Sequence, residues 1–82
     1  MKLTILYFAA VRDLVGKDEE ALEVPASVTT IGALSAHLVA VHEALGGRLK
    51  YVRFARNEEF ASDDTALAEG DTIALIPPVA GG

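Results

Sequence analysis

Cysteine is absent from the 82 residues, and with it go disulfide scaffolds, thiolate metal sites and any thiol nucleophile within the chain. The absence fits a reducing compartment, and sulfur chemistry would have to use another atom or another protein. Also missing is an apolar run near the length of a membrane span, and no basic, apolar, small-residue leader opens the chain. A soluble cytoplasmic protein is therefore expected. Cations are scarce: seven Lys and Arg stand against twelve Asp and Glu, for a formal charge of −5. That balance disfavours the nucleic-acid backbone, and it serves either plain solubility or partners with basic surfaces. Gly70 stands alone, and no Gly-rich cradle precedes a helix, which argues against a nucleotide pocket within this chain. Repeats, linkers and low-complexity segments are lacking too, and the length suits one domain with a modest core.

What is present reads as short elements. From Lys2 to Phe8 the residues alternate, placing Leu3, Ile5 and Tyr7 on one face and Lys2, Thr4, Leu6 and Phe8 on the other, which is a strand. Ala9 to Val15 has helical spacing, with Gly16 supplying a left-handed stop. After a charged turn from Lys17 to Glu20, alternation from Ala21 to Val24 predicts a second strand, antiparallel to the first and ended by Pro25. Thr30 is a good N-cap for the clearest helix, whose stripe is Ile31, Leu34, Leu38, Val41 and Leu45, closed by Gly46 and Gly47. Tyr51 to Arg56 alternates again, with Val52 and Phe54 expected inward, and Asn57 opens an irregular polar segment that contains Phe60. A last strand runs from Thr72 to Ile76 with Ile73 and Leu75 on one face. Strand, strand, helix, then strands is an α+β order with one main helix across one face of a mixed sheet. If the first and last strands are central neighbours, the right-handed crossover makes them parallel, which is the β-grasp or ubiquitin-like architecture.

Residues that could carry chemistry inside this fold are few. His37 and His42 sit five apart on the main helix, about 140° around its axis, and so cannot share a metal; no metal site is expected. Ser27, Ser35 and Ser62 have only those histidines as conceivable bases, and no nucleophile elbow is present, so hydrolysis is rejected. The pairs Glu19 with Glu20, Glu58 with Glu59, and Asp63 with Asp64 lack calcium-loop spacing and read as solvated turns. More informative is the outer sheet face. Strand phase turns Leu6, Phe8 and Ile76 away from the helix, with Phe60 nearby, as a surface for an exchangeable partner.

The chain ends in Pro77, Pro78, Val79, Ala80, Gly81, Gly82. The two prolines fix φ, remove two amide donors and bias Ile76 to an extended conformation, so sheet pairing should stop there. This divides the chain into a domain over 1–76 and an extended tail over 77–82. Two glycines without Cβ atoms suit a strand threaded into a narrow channel, and the reactive group at the tip is a carboxylate. A frayed end without a role is the alternative.

Phe8-Ala9-Ala10-Val11-Arg12-Asp13-Leu14-Val15-Gly16, the stretch from Gly70 to Ala74, and the ending from Pro77 to Gly82 together resemble the small-subunit family of molybdopterin synthase, over the whole length. The resemblance implies a sulfur carrier. A ubiquitin-activating-like adenylyltransferase would use ATP to adenylate Gly82, sulfur from a sulfurtransferase would displace AMP, and the thiocarboxylate would serve cyclic pyranopterin monophosphate inside the large synthase subunit, in a heterotetramer. It further implies that the carrier binds no cofactor and is not an enzyme alone. Gly81, Ala80, Val79 and Pro78 would enter the channel, Phe8, Phe60 and Ile76 would meet the large subunit with Arg12 as a polar contact, and Leu6 joins that surface by its strand phase. The segment Tyr51 to Phe60 is more charged than that family's pattern. Sulfur carriage for thiamine or transfer-RNA thiolation, ubiquitin-like protein modification, and an inert-tailed interaction domain remain as alternatives.

Overall fold

The computed structural model describes residues 1–78, so the expected tail positions Val79, Ala80, Gly81 and Gly82 lie outside the described residues. The chain opens with strand β1 (Lys2–Tyr7), in which Leu3, Ile5 and Tyr7 are buried, as alternation requires. Helix α1 (Ala9–Val15) follows and stops at Gly16, whose φ of 86° completes a left-handed C-cap with its N–H donated to the Arg12 carbonyl. Strand β2 (Glu19–Glu23) pairs antiparallel with β1. Helix α2 (Ile31–Val41) is capped by Thr30, whose hydroxyl oxygen accepts the Ala33 N–H at 3.2 Å. A 3₁₀ turn (Glu43–Leu45) leads to β3 (Arg53–Arg56), β4 (Glu59–Ala61) and β5 (Thr72–Ile76).

The strands form one sheet in the order β2-β1-β5-β3-β4. Its centre is the parallel pair β1 and β5, with Ile5 beside Ile73 and Tyr7 beside Leu75. All other pairings are antiparallel. One sheet face buries Leu3, Ile5, Tyr7, Phe54, Ile73 and Leu75 against Ile31, Leu34 and Leu38 of α2 and Val11 of α1. This is the α+β, ubiquitin-like β-grasp arrangement expected from the element order. Among the described residues no helix is long and apolar enough to cross a membrane.

Three local expectations are corrected. α2 ends at Val41 rather than running to Gly46, because His42 turns extended (φ −122°, ψ 91°). Val41 is then left 43 % exposed, while Leu45 reaches the core from the 3₁₀ turn instead. The irregular segment around Phe60 is β4, paired antiparallel with β3 so that Phe60 stands opposite Ala55. The third concerns the carboxylates: Glu19 and Glu20 belong to β2, Glu59 belongs to β4, and Glu20 is no solvated turn residue.

Glu20 is instead the hub that ties the end of α2 to the sheet. Its Oε1 accepts the Tyr7 hydroxyl at 2.5 Å and lies 2.5 Å from His42 Nε2, while Lys17 Nζ stands 3.3 Å from Oε2. The His42 ring meets Tyr7 edge-on, with centroids 5.9 Å apart. Burial works against the Glu20 carboxylate, but the hydrogen bonds from Tyr7 and His42 outweigh it and leave its pKa below the usual range. Burial and the neighbouring carboxylate push the Tyr7 phenol well above its ordinary value.

Candidate functional site

Side chains alternate between the two faces of a strand, so packing one face against α2 leaves the other to be filled by something else. On that outer face Leu6 and Phe8, from β1 and its exit, stand beside Ala74 and Ile76 of β5, which stand beside Ala55 of β3 and Phe60 of β4. These residues line an open groove of about 570 Å³, with Thr72, Asn57 and Glu58 at one end. Ala55 and Ala74 form a low floor, and the larger side chains rise around it. Phe8 is 46 % exposed and Phe60 59 % exposed. A second hollow of about 310 Å³, formed by Phe8, Ala9, Ile76 and Pro77, continues the apolar surface to the point where β5 stops.

Local backbone geometry explains how Phe8 comes to stand there. Its N–H donates to the Leu75 carbonyl at 3.3 Å, holding it in line with β5. Ala9 then takes a φ of 49°, and this positive-φ step turns the chain into α1 while Phe8 stays at the mouth of the groove. On the other side, the β3–β4 hairpin is held from below by Asp71, a buried acid. Asp71 accepts from Arg56 Nε at 2.6 Å, Asn57 Nδ2 at 2.9 Å and the Ala68 N–H at 2.8 Å. Burial alone would raise this carboxyl, but the Arg56 and Asn57 bonds, with the Ala68 amide, hold it below the usual carboxylate range.

Of the expected contact residues, the structure brings Leu6, Phe8, Phe60 and Ile76 together in one groove. Arg12 is exposed on α1 and does not line it. Pro78 is exposed beyond the end of β5, and the remaining tail positions are outside the described residues. Sequence reading missed Ala55, Thr72 and Ala74. The signal was available, because Thr72 and Ala74 share strand phase with Ile76 and Ala55 is out of phase with the inward Phe54. Asn57 and Glu58 were missed as groove residues because the two-residue turn they form went unrecognised.

A fold with an apolar outer face is shared by many proteins, and the comparisons narrow it. A molybdopterin synthase sulfur carrier subunit of Chlamydomonas reinhardtii is 38% identical over 84 residues, covering 100% of each chain. The Escherichia coli protein of the same name is 39% identical over 82 residues, covering 98% of this chain and 99% of its own. Among solved structures, SAMP1 from Haloferax volcanii superposes with a TM-score of 0.88 at 30% identity, covering 100% of both chains. The family model described as the ThiS family matches residues 5–82, and the chain belongs to that family.

Proposed function

We propose that this chain is the sulfur carrier subunit of a molybdopterin synthase and that Gly82 is its reactive residue. The observation that carries the reading is the end-to-end likeness to sulfur carrier subunits at 38% and 39% identity. The exposed groove adds support: it is continuous with the end of β5, from which Pro77 and Pro78 lead toward Gly82. The large synthase subunit docks on Leu6, Phe8, Phe60 and Ile76, with Arg12 as a peripheral polar contact, and receives Pro78, Val79, Ala80 and Gly81 in a channel too narrow for side chains at its inner end.

The chemistry follows from the absence of cysteine. A carboxylate is a poor electrophile. An ATP-dependent adenylyltransferase joins the Gly82 carboxylate to AMP with release of pyrophosphate, and the mixed anhydride then has a good leaving group. Sulfide derived from a sulfurtransferase attacks the Gly82 carbonyl and expels AMP, leaving a thiocarboxylate whose sulfur is the nucleophile toward cyclic pyranopterin monophosphate in the large subunit; hydrolysis of the acyl–sulfur bond then returns the Gly82 carboxylate. The fold binds no cofactor in this scheme and catalyses nothing alone. It presents the tail, and the neighbours supply ATP and catalytic groups.

Intact mass spectrometry of the protein, incubated with adenylyltransferase, ATP and a sulfur donor, tests the reading. Replacement of one oxygen by sulfur at Gly82 is the expected result. A second reading has its own support, since a Haloferax volcanii structure 29% identical to this chain is named small archaeal modifier protein 1. Isopeptide linkage of Gly82 to lysines, without thiocarboxylate, would establish that reading instead.

A further inference from the structure

The groove is electrically uneven along its length. Where β5 stops, Arg53 pairs in register with Ile76, and its guanidinium carbon lies 3.7 Å from the centroid of the Phe60 ring. Stacking on the aromatic face holds the guanidinium at the groove margin while leaving its N–H groups free to bind an acid. Among the described residues no carboxylate pairs with it. At the opposite end the β3–β4 connection is two residues, Asn57 and Glu58, with φ of 49° and 74°. Two positive φ values in a two-residue hairpin ordinarily call for Asn followed by Gly, since a Cβ in the left-handed region crowds the following carbonyl.

Asn57 is accounted for by the fold: its side chain donates to Asp71 and accepts the Thr72 N–H at 2.9 Å. Glu58 is not. It strains the turn, lines the groove and, among the described residues, makes no hydrogen bond or ion pair with its own chain. A strained residue without an internal partner calls for an external one. Along β3, four residue steps of about 3.4 Å carry the backbone from Arg53 to Asn57, with the outward Ala55 between them and the guanidinium leaning over Phe60.

We propose that Arg53 and Glu58 act as a charge pair that fixes the direction in which a partner segment lies in the groove. The segment carries an acid at the Ile76 end, an apolar centre, and a base at the hairpin end. This rests on the docking reading above, and the occupant is the large synthase subunit.

The test titrates the full chain with purified large subunit at low and high salt, with a thermal melt of every variant. Glu58→Lys and Arg53→Glu should each weaken binding by about 10-fold at low salt, mainly through the association rate, and by less at high salt. The double reversal should bind more weakly than either. Glu58→Gly separates strain from recognition: relief of the turn should raise the melting temperature by about 4 °C while affinity falls. Should Arg53→Glu fail to fold, Arg53→Gln replaces it. Wild-type affinity in the charge variants, with Phe8→Asp still deficient, overturns the charge pair and leaves the docking reading standing. Wild-type affinity in Phe8→Asp overturns the docking reading, and the charge pair with it.

Discussion

Arg56 Nε donates to Asp71 Oδ2 at 2.6 Å, joining the end of β3 to the residue before β5 beneath the hairpin that closes the groove. Asp71→Ala would orphan the Ala68 N–H and the Asn57 amide along with the guanidinium. The expected loss is about 2 kcal/mol, or roughly 10 °C in melting temperature for a domain of this size. Calorimetry measures it, and faster amide exchange at Ala68 and Thr72 would locate it.

Acid should destabilise the fold through two particular groups. Glu20 and Asp71 both have carboxyls held below their ordinary values in the folded chain. A lowered folded pKa stabilises above the unfolded value, near 4, and the contribution is lost as pH falls through the folded values. The urea midpoint should therefore drop between about pH 5 and pH 2. Glu20→Gln and Asp71→Asn should each flatten that dependence.

Phe8→Asp should leave the melting temperature nearly unchanged, since the side chain is half exposed and lies outside the core. It should still weaken binding of the large subunit by at least about 10-fold, from the lost burial of an aromatic side chain against the partner. Parallel melting and titration curves check both halves.

Under the proposed function, in which the Gly82 carboxylate carries the sulfur, removing Gly82 draws that group back by about 3.5 Å, well beyond the roughly 1 Å misplacement that can cost 10²-fold in rate. Sulfur delivery to the pterin should fall at least about 100-fold, with folding intact. Gly81→Val should impair the same step by adding a branched side chain near the channel wall. Single-turnover assays with a preformed thiocarboxylate isolate the transfer.

Thr30→Ala removes the side-chain acceptor of the Ala33 N–H. A loss of about 1 kcal/mol is expected, seen as a melting temperature lower by roughly 5 °C without a change in partner affinity.

The central strands were legible because β1 and β5 each have one wholly apolar phase, Leu3-Ile5-Tyr7 and Ile73-Leu75, and period two assigns such residues to one face. The same phase exposed half of the groove. What sequence reading missed depends on contacts between distant segments. The end of α2 is decided by His42 reaching Glu20, 22 residues away, against a stripe that continues smoothly through Val41 to Leu45. β4 spans three residues of mixed polarity, too few for a period, and only the register with β3 identifies it. The position of Arg53 over Phe60 requires a hairpin that carries no glycine.

The parallel centre of the sheet has a mechanical consequence. A load applied at Ile76 along the strand axis acts on β5 from its C-terminal end. β5 is bonded on one side to β1 and on the other to β3. Such a pull loads both ladders at once in shear, rather than opening them one bond at a time as a pull across an edge strand would. A load on the C-terminal end of β5 is thus resisted by the parallel and the antiparallel ladder together.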